Sequence, residues 1–118
     1  MKSAGPSAVV TIDVAHPPLS SEEAERALDD ILRRATLSGG TRVIRVIHGY
    51  GSGGKGGTLK TTVRNWAFRR RGKFDLILPG EEYSPSLPAV QEFIKSAEDI
   101  GLADFSDANE GMTLLILR

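Results

Sequence analysis

Apolar positions change period several times along this chain, and each change marks an element. Ala8 to Val14 (AVVTIDV) is dense in β-branched residues and predicts a strand. His16-Pro17-Pro18 closes it, because proline cannot donate to a ladder and restricts the residue before it. Ser20 and Glu23 have the spacing of a capping box. Ala24, Ala27, Leu28, Ile31, Leu32 and Ala35 then recur at helical intervals until Gly39-Gly40. Thr41 to Ile47 (TRVIRVI) is a second strand, apolar enough for burial on both faces, as in a parallel sheet.

After a glycine-rich loop, Thr58 predicts the N-cap of a second helix, with Leu59, Val63, Trp66 and Ala67 on its buried side. Lys60, Arg64 and Arg71 fall on another side, and Gly72 is the expected stop. Phe74 to Leu78 is a third strand, closed by Pro79-Gly80. Val90, Phe93, Ile94 and Ala97 suggest a third, shorter helix, and Met112 to Leu117 (MTLLIL) a last strand. The order β-α-β-α-β-α-β predicts an α/β fold: a two-layer sandwich on a four-stranded, mostly parallel or mixed sheet. The expected organisation is a disordered lead over 1–7 and one domain over 8–118, the length of a single modest core.

Charge adds a feature that the periodicity does not carry. Net charge is zero, yet no acid lies between Ile31 and Phe74, a window with 11 of the 15 basic residues. This asymmetry predicts a basic surface for an anionic partner. The alternative is a solvated helix face with acids folded back over it. Without cysteine there is no disulfide, thiolate metal site or thiol nucleophile. No apolar run approaches membrane-spanning length, and the first residues lack a signal-peptide core, so a cytoplasmic setting is expected.

The loop HGYGSGGKGGT, His48 to Thr58, sits inside the basic window. Gly49 with Gly54-Lys55 matches a nucleotide phosphate loop, but Gly56 stands where Ser or Thr would hold magnesium. Gly49, Gly51 and Gly54 also spell a dinucleotide fingerprint. That loop normally follows the first strand of its unit, and here it follows the second.

The longer stretch VIRVIHGYGSGGKGGTLKTTVRNWA resembles the signature of the small MutS-related (Smr) domain. In that signature a strand ends in H-G-x-G-x-G and a helix follows, opening near Leu with basic residues. His48, Gly49, Gly51 and Gly53 stand at the signature positions, and Leu59, Lys60, Val63 and Trp66 fit the helix. The resemblance runs from about Val9 to Arg118.

It implies a nucleic-acid-binding domain for DNA or RNA, within a family that includes DNA-nicking and RNA-cleaving members. Glycine N–H groups, a helix N-terminus and basic side chains would all favour phosphate. The binding residues expected on this basis are Gly49, Tyr50, Gly51, Ser52, Gly53, Gly54, Lys55, Lys60 and Arg64.

The family's other motif, L-D-x-H-G, is altered. Asp13 is in place, Ala15 occupies the histidine position, and His16 stands where glycine is expected. The catalytic candidates are therefore Asp13, His16 and His48, and cleavage, if retained, would call for magnesium or manganese. His48 has an equal structural reading, as a ring that holds the loop through a backbone hydrogen bond. Two histidines without cysteine give no metal-ligand set of convincing spacing. Glu81 and Glu82 would serve as ligands only if they folded back toward Asp13.

The stretch 79–107 is longer than a compact Smr domain needs. It is expected to cover the sheet, or to act as a surface for a protein partner or self-association. The rival function is accordingly an inactive protein-interaction module derived from an Smr domain.

Overall fold

A computed structural model describes residues 9–49, 55–82 and 111–118. The elements run β1 (Val9–Asp13), α1 (Ser21–Ser38), β2 (Val43–Ile47), α2 (Lys55–Arg69), β3 (Phe74–Pro79) and β4 (Met112–Leu117). The four strands form one mixed sheet in the order β1-β2-β4-β3. β1 and β2 are parallel, while β4 lies antiparallel to both β2 and β3. The last strand in sequence is therefore an inner strand of the sheet, next to β2. The expected third helix, and the part of 79–107 beyond Glu82, lie outside the described residues, as does the lead over 1–7.

The α1 boundaries follow from local chemistry. Ser20 Oγ accepts from the Glu23 N–H at 3.1 Å, and Glu23 Oε1 accepts from the Ser20 N–H at 3.0 Å, so the capping box is formed. At the other end Gly39 takes φ 75°, a left-handed conformation that closes the helix on the Ala35 carbonyl. The α2 start differs from the expectation. It lies at Lys55, ahead of Thr58, and takes in Gly56 and Gly57. Glycine weakens a helix by only about 1 kcal/mol per residue, which packed later turns can offset. Leu59, Val63, Trp66 and Ala67 supply that packing and are all essentially fully buried.

Both helices bury their apolar sides on one face of the sheet. Ala24, Leu28, Leu32 and Ala35 from α1 join the same core as the four α2 residues. From the sheet come Ile44, Val46 and Leu115, with Val10, Ile12 and Ile77 packed beside them. Side chains alternate along a strand, so Val43, Leu78, Met112, Leu114 and Ile116 belong to the opposite face. These are buried as well. The near-continuous apolar runs of β2 and β4 reflect this two-sided burial.

Candidate functional site

Because β3 runs antiparallel to β4, and β4 antiparallel to β2, the C-terminal ends of β1, β2 and β3 lie along one edge of the sheet. That edge gathers Asp13, His48 and Glu81, together with the start of β4. The Val14 N–H donates to the Ile47 carbonyl at 3.0 Å, tying the β1 exit to the β2 exit. The Gly111 carbonyl accepts from both His48 N–H (2.9 Å) and Gly49 N–H (3.1 Å), tying β2 to β4. Gly49 has φ 86°, a conformation that strongly favours glycine, so the turn out of β2 requires this residue.

Asp13 and His16 are brought together. The His16 Nδ1 lies 2.9 Å from Asp13 Oδ2 and 3.1 Å from Oδ1. Asp13 Oδ1 also accepts from the Ala15 N–H at 2.8 Å and the His16 N–H at 3.1 Å. The carboxylate thus caps the turn that follows it, and this turn carries His16 round to its partner although the histidine is displaced by one position. Desolvation, the largest single influence, pushes the Asp13 carboxyl up, but the Ala15 N–H together with the ring and N–H of His16 outweigh it and hold it below the usual value. The ionised carboxylate can only accept a hydrogen bond, so Nδ1 carries the hydrogen, and in the neutral ring Nε2 holds the free lone pair. The two side chains are 70% and 37% exposed, respectively for His16 and Asp13.

His48 is placed otherwise. It continues the series Ile44, Val46, His48 on the helix side of the sheet, whereas Asp13, beside Ile47, belongs to the opposite face. Its side chain is fully buried. Nδ1 lies 2.9 Å from the Gly49 carbonyl, which can only accept, so Nδ1 donates. Nε2 then accepts from the Thr113 hydroxyl at 2.9 Å. The Thr113 oxygen in turn accepts from Arg64 Nε at 3.1 Å. Burial drives the His48 pKa down, the Arg64 and Lys60 charges add to this, and the Gly49 carbonyl and Glu81 oppose it. The ring is therefore neutral, with both nitrogens engaged inside the protein.

Arg64 extends this chain to the surface. Its Nη1 and Nη2 donate to Glu81 Oε2 at 2.9 Å and Oε1 at 2.7 Å, a two-pronged pair. The Arg64 hydrogen bonds pull the Glu81 carboxyl from 4.5 down to about 2. Lys60 acts on both Glu81 and His48 through its charge. The fold-back of Glu81 toward Asp13 does not occur; it turns to Arg64.

The basic window is also partly neutralised. Asp30 pairs with Arg33 and Arg34, Glu25 with Arg69, and Asp29 with Arg70, all within about 3 Å. Acids from both flanks return over the arginines, so the surface is less bare than the charge pattern predicted. Tyr50, Gly51, Ser52, Gly53 and Gly54 lie outside the described residues, and Lys55 opens α2.

Thr113 and Asp29 were not singled out by sequence reasoning. Thr113 did carry a signal, as the one hydroxyl within the apolar strand MTLLIL, where a buried polar group needs a partner. Asp29 carried none. It bonds the Trp66 indole N–H at 2.9 Å, across from one helix to the other.

For a divalent metal, the described residues do not fit. No group of three or more His, Asp or Glu converges among them. The Asp13 carboxylate already accepts from two N–H groups and from its histidine.

The fold and the site define a small mixed α/β domain, with a glycine turn, an acid–histidine pair and an arginine-centred network at one sheet end. The sequence profile of the Smr domain matches residues 17–77, just over half of the chain, and the chain belongs to the Smr domain family. The match covers α1, β2, the glycine loop and α2, and it begins after Asp13 and His16. Among solved structures, the chain is similar to the Smr domain of Thermus thermophilus MutS2. The TM-score is 0.52 at 21% identity, over 93% of this chain and 96% of that one. This similarity extends the shared fold beyond the profile match. No curated protein matches the chain in sequence.

Proposed function

We propose that this chain is a nucleic-acid-binding Smr domain that cleaves phosphodiesters, with Asp13 and His16 as its acid–base pair. The observation that carries the reading is the Asp13–His16 hydrogen bond of 2.9 Å, made at the strand end beside the glycine turn. An exposed imidazole oriented by a carboxylate is the arrangement that proton transfer requires. In this reading the glycine loop and the α2 N-terminus hold the phosphate backbone, with Lys60 and Lys55 on the same helix. His48 touches no substrate. It holds Gly49 and the β2 exit in shape.

A single exposed base suits a nucleophile already within the substrate, so RNA is favoured over DNA. His16 Nε2 takes the proton of a ribose 2′-hydroxyl, whose oxygen attacks the adjacent phosphorus. The bond from phosphorus to the 5′-oxygen breaks, leaving a 2′,3′-cyclic phosphate and a 5′-oxygen that takes a proton from solvent. Asp13 keeps Nδ1–H aimed and stabilises the imidazolium.

The test is incubation of labelled single-stranded RNA with the wild type, Asp13→Asn and His16→Ala, in EDTA and in magnesium or manganese. The expected result is cleavage that survives EDTA and falls about 100-fold or more in both variants, with RNA affinity nearly unchanged. Cleavage abolished by EDTA, or unimpaired in both variants, would discard the mechanism.

The second reading is a protein-interaction module, or a self-associating one, without catalysis. The pairing of five arginines with acids favours it. Its signature would be RNA and DNA binding that is absent at low salt, together with an assembly visible by light scattering that is lost when part of 79–107 is deleted.

A further inference from the structure

We propose that the Arg64 guanidinium is a seat for one backbone phosphate of the nucleic acid, and that the Glu81 carboxylate occupies this seat in the unbound protein. The inference rests on the nucleic-acid-binding reading above and adds a competitor built into the site.

The guanidinium is fixed from behind. Its Nε is held by Thr113 at 3.1 Å, and Nη2 also reaches the Met112 carbonyl at 3.4 Å. Thr113 is itself fully buried and bonded to His48. The remaining edge of the fork therefore has one direction, and the two Glu81 oxygens meet it there. Two parallel N–H···O bonds to a pair of anionic oxygens are equally the way a guanidinium takes a phosphate.

The two partners are not held alike. Arg64, on α2, is 24% exposed and its guanidinium is anchored to Thr113 and Met112 of β4, while Glu81 is 36% exposed and stands on a short 3₁₀ turn, Gly80–Glu82, after β3. An incoming phosphate can replace the carboxylate without disturbing the anchor. The seat lies at the sheet end that also carries Gly49, and the Lys60 charge adds to the field there. Glu81 remains ionised at every pH at which RNA binding would be measured, so the competitor is always present.

Neutralising it should open the seat. For Glu81→Gln, binding of a labelled single-stranded RNA is expected to tighten about three- to tenfold, the net worth of one hydrogen-bonded contact in water. The plot of log affinity against log salt should steepen by about 0.7, as for one more phosphate neutralised on a single strand. Glu81→Gln with Arg64→Lys should lose the gain, because lysine cannot offer the fork. Circular dichroism and melting confirm that each variant is folded.

A measurement on the wild type stands apart from variant folding. The Glu81 carboxylate carbon resonance should move on RNA addition as the carboxylate is released. A folded Glu81→Gln that binds no more tightly, or a carboxylate resonance unmoved at saturating RNA, overturns the seat and leaves the function reading intact. RNA and DNA bound by neither wild type nor variant would overturn both.

Discussion

His48 shows how one side chain's role follows from its two nitrogens. One donates to Gly49 and the other accepts from Thr113, so the ring is a strut between the β2 exit and β4. Replacing it with alanine removes buried volume and leaves the Thr113 hydroxyl without its acceptor. A loss of about 2–4 kcal/mol is expected on denaturant unfolding. The pH dependence has a definite sign. The folded pKa is depressed, so unfolded chains take up a proton that the native ring refuses. The His48 contribution is fully present above about 6.5 and is lost as pH falls from there through the folded-state value. Unfolding series from pH 8 downward should show this decline in the wild type and lack it in His48→Ala. From the sequence, acid–base and structural roles for this histidine weighed equally. The strand parity that turns it inward was readable, but Thr113 was too distant in sequence to supply the partner.

At the scale of elements, the local signals were the reliable ones. Ser20 and Glu23 announced a capping box, and Gly39 a helix stop, because both are settled within a few residues. Ser20→Ala should cost about 1 kcal/mol by chemical denaturation with little change of slope, since only the first turn of α1 is touched. The α2 start was misjudged for the opposite reason. Glycine propensity is a local quantity, and burial of Leu59 and Val63 outweighs it. Pairing partners were not legible either. Nothing within MTLLIL distinguishes a strand added at an edge from one inserted beside β2. The turn that brings His16 to Asp13 depends on backbone N–H groups, which the one-residue displacement in the motif did not reveal.

At the scale of the molecule, charge is distributed by tertiary contact. The window from Ile31 to Phe74 contains no acid, yet Glu25 and Asp29 of α1 reach Arg69, the last residue of α2, and Arg70 just after it. Asp29 also holds the Trp66 indole, and the Arg70 guanidinium lies 5.0 Å from the Trp66 ring centroid. Asp29→Ala and Asp29→Asn separate these contributions. Alanine leaves the indole N–H without its acceptor and should cost about 1–3 kcal/mol. Asparagine keeps an acceptor and loses only a partly exposed ion pair, for a cost under about 1 kcal/mol. Trp66 is the sole tryptophan, so its fluorescence follows both unfolding curves without a label.

The sheet order has a consequence for how the chain acquires its structure. β4 is separated from β2 by most of the sequence yet bridges β2 and β3. Until it arrives, β2 and β3 have no contact through the ladder, and each presents an unpaired apolar edge. Closing such a long loop before any pairing is gained slows folding. Intermediates lacking β4 expose two templates for another chain's strand, which is the hazard open edges carry. The nascent domain therefore depends on completing its sheet from within, and the apolar run MTLLIL is the strand that completes it.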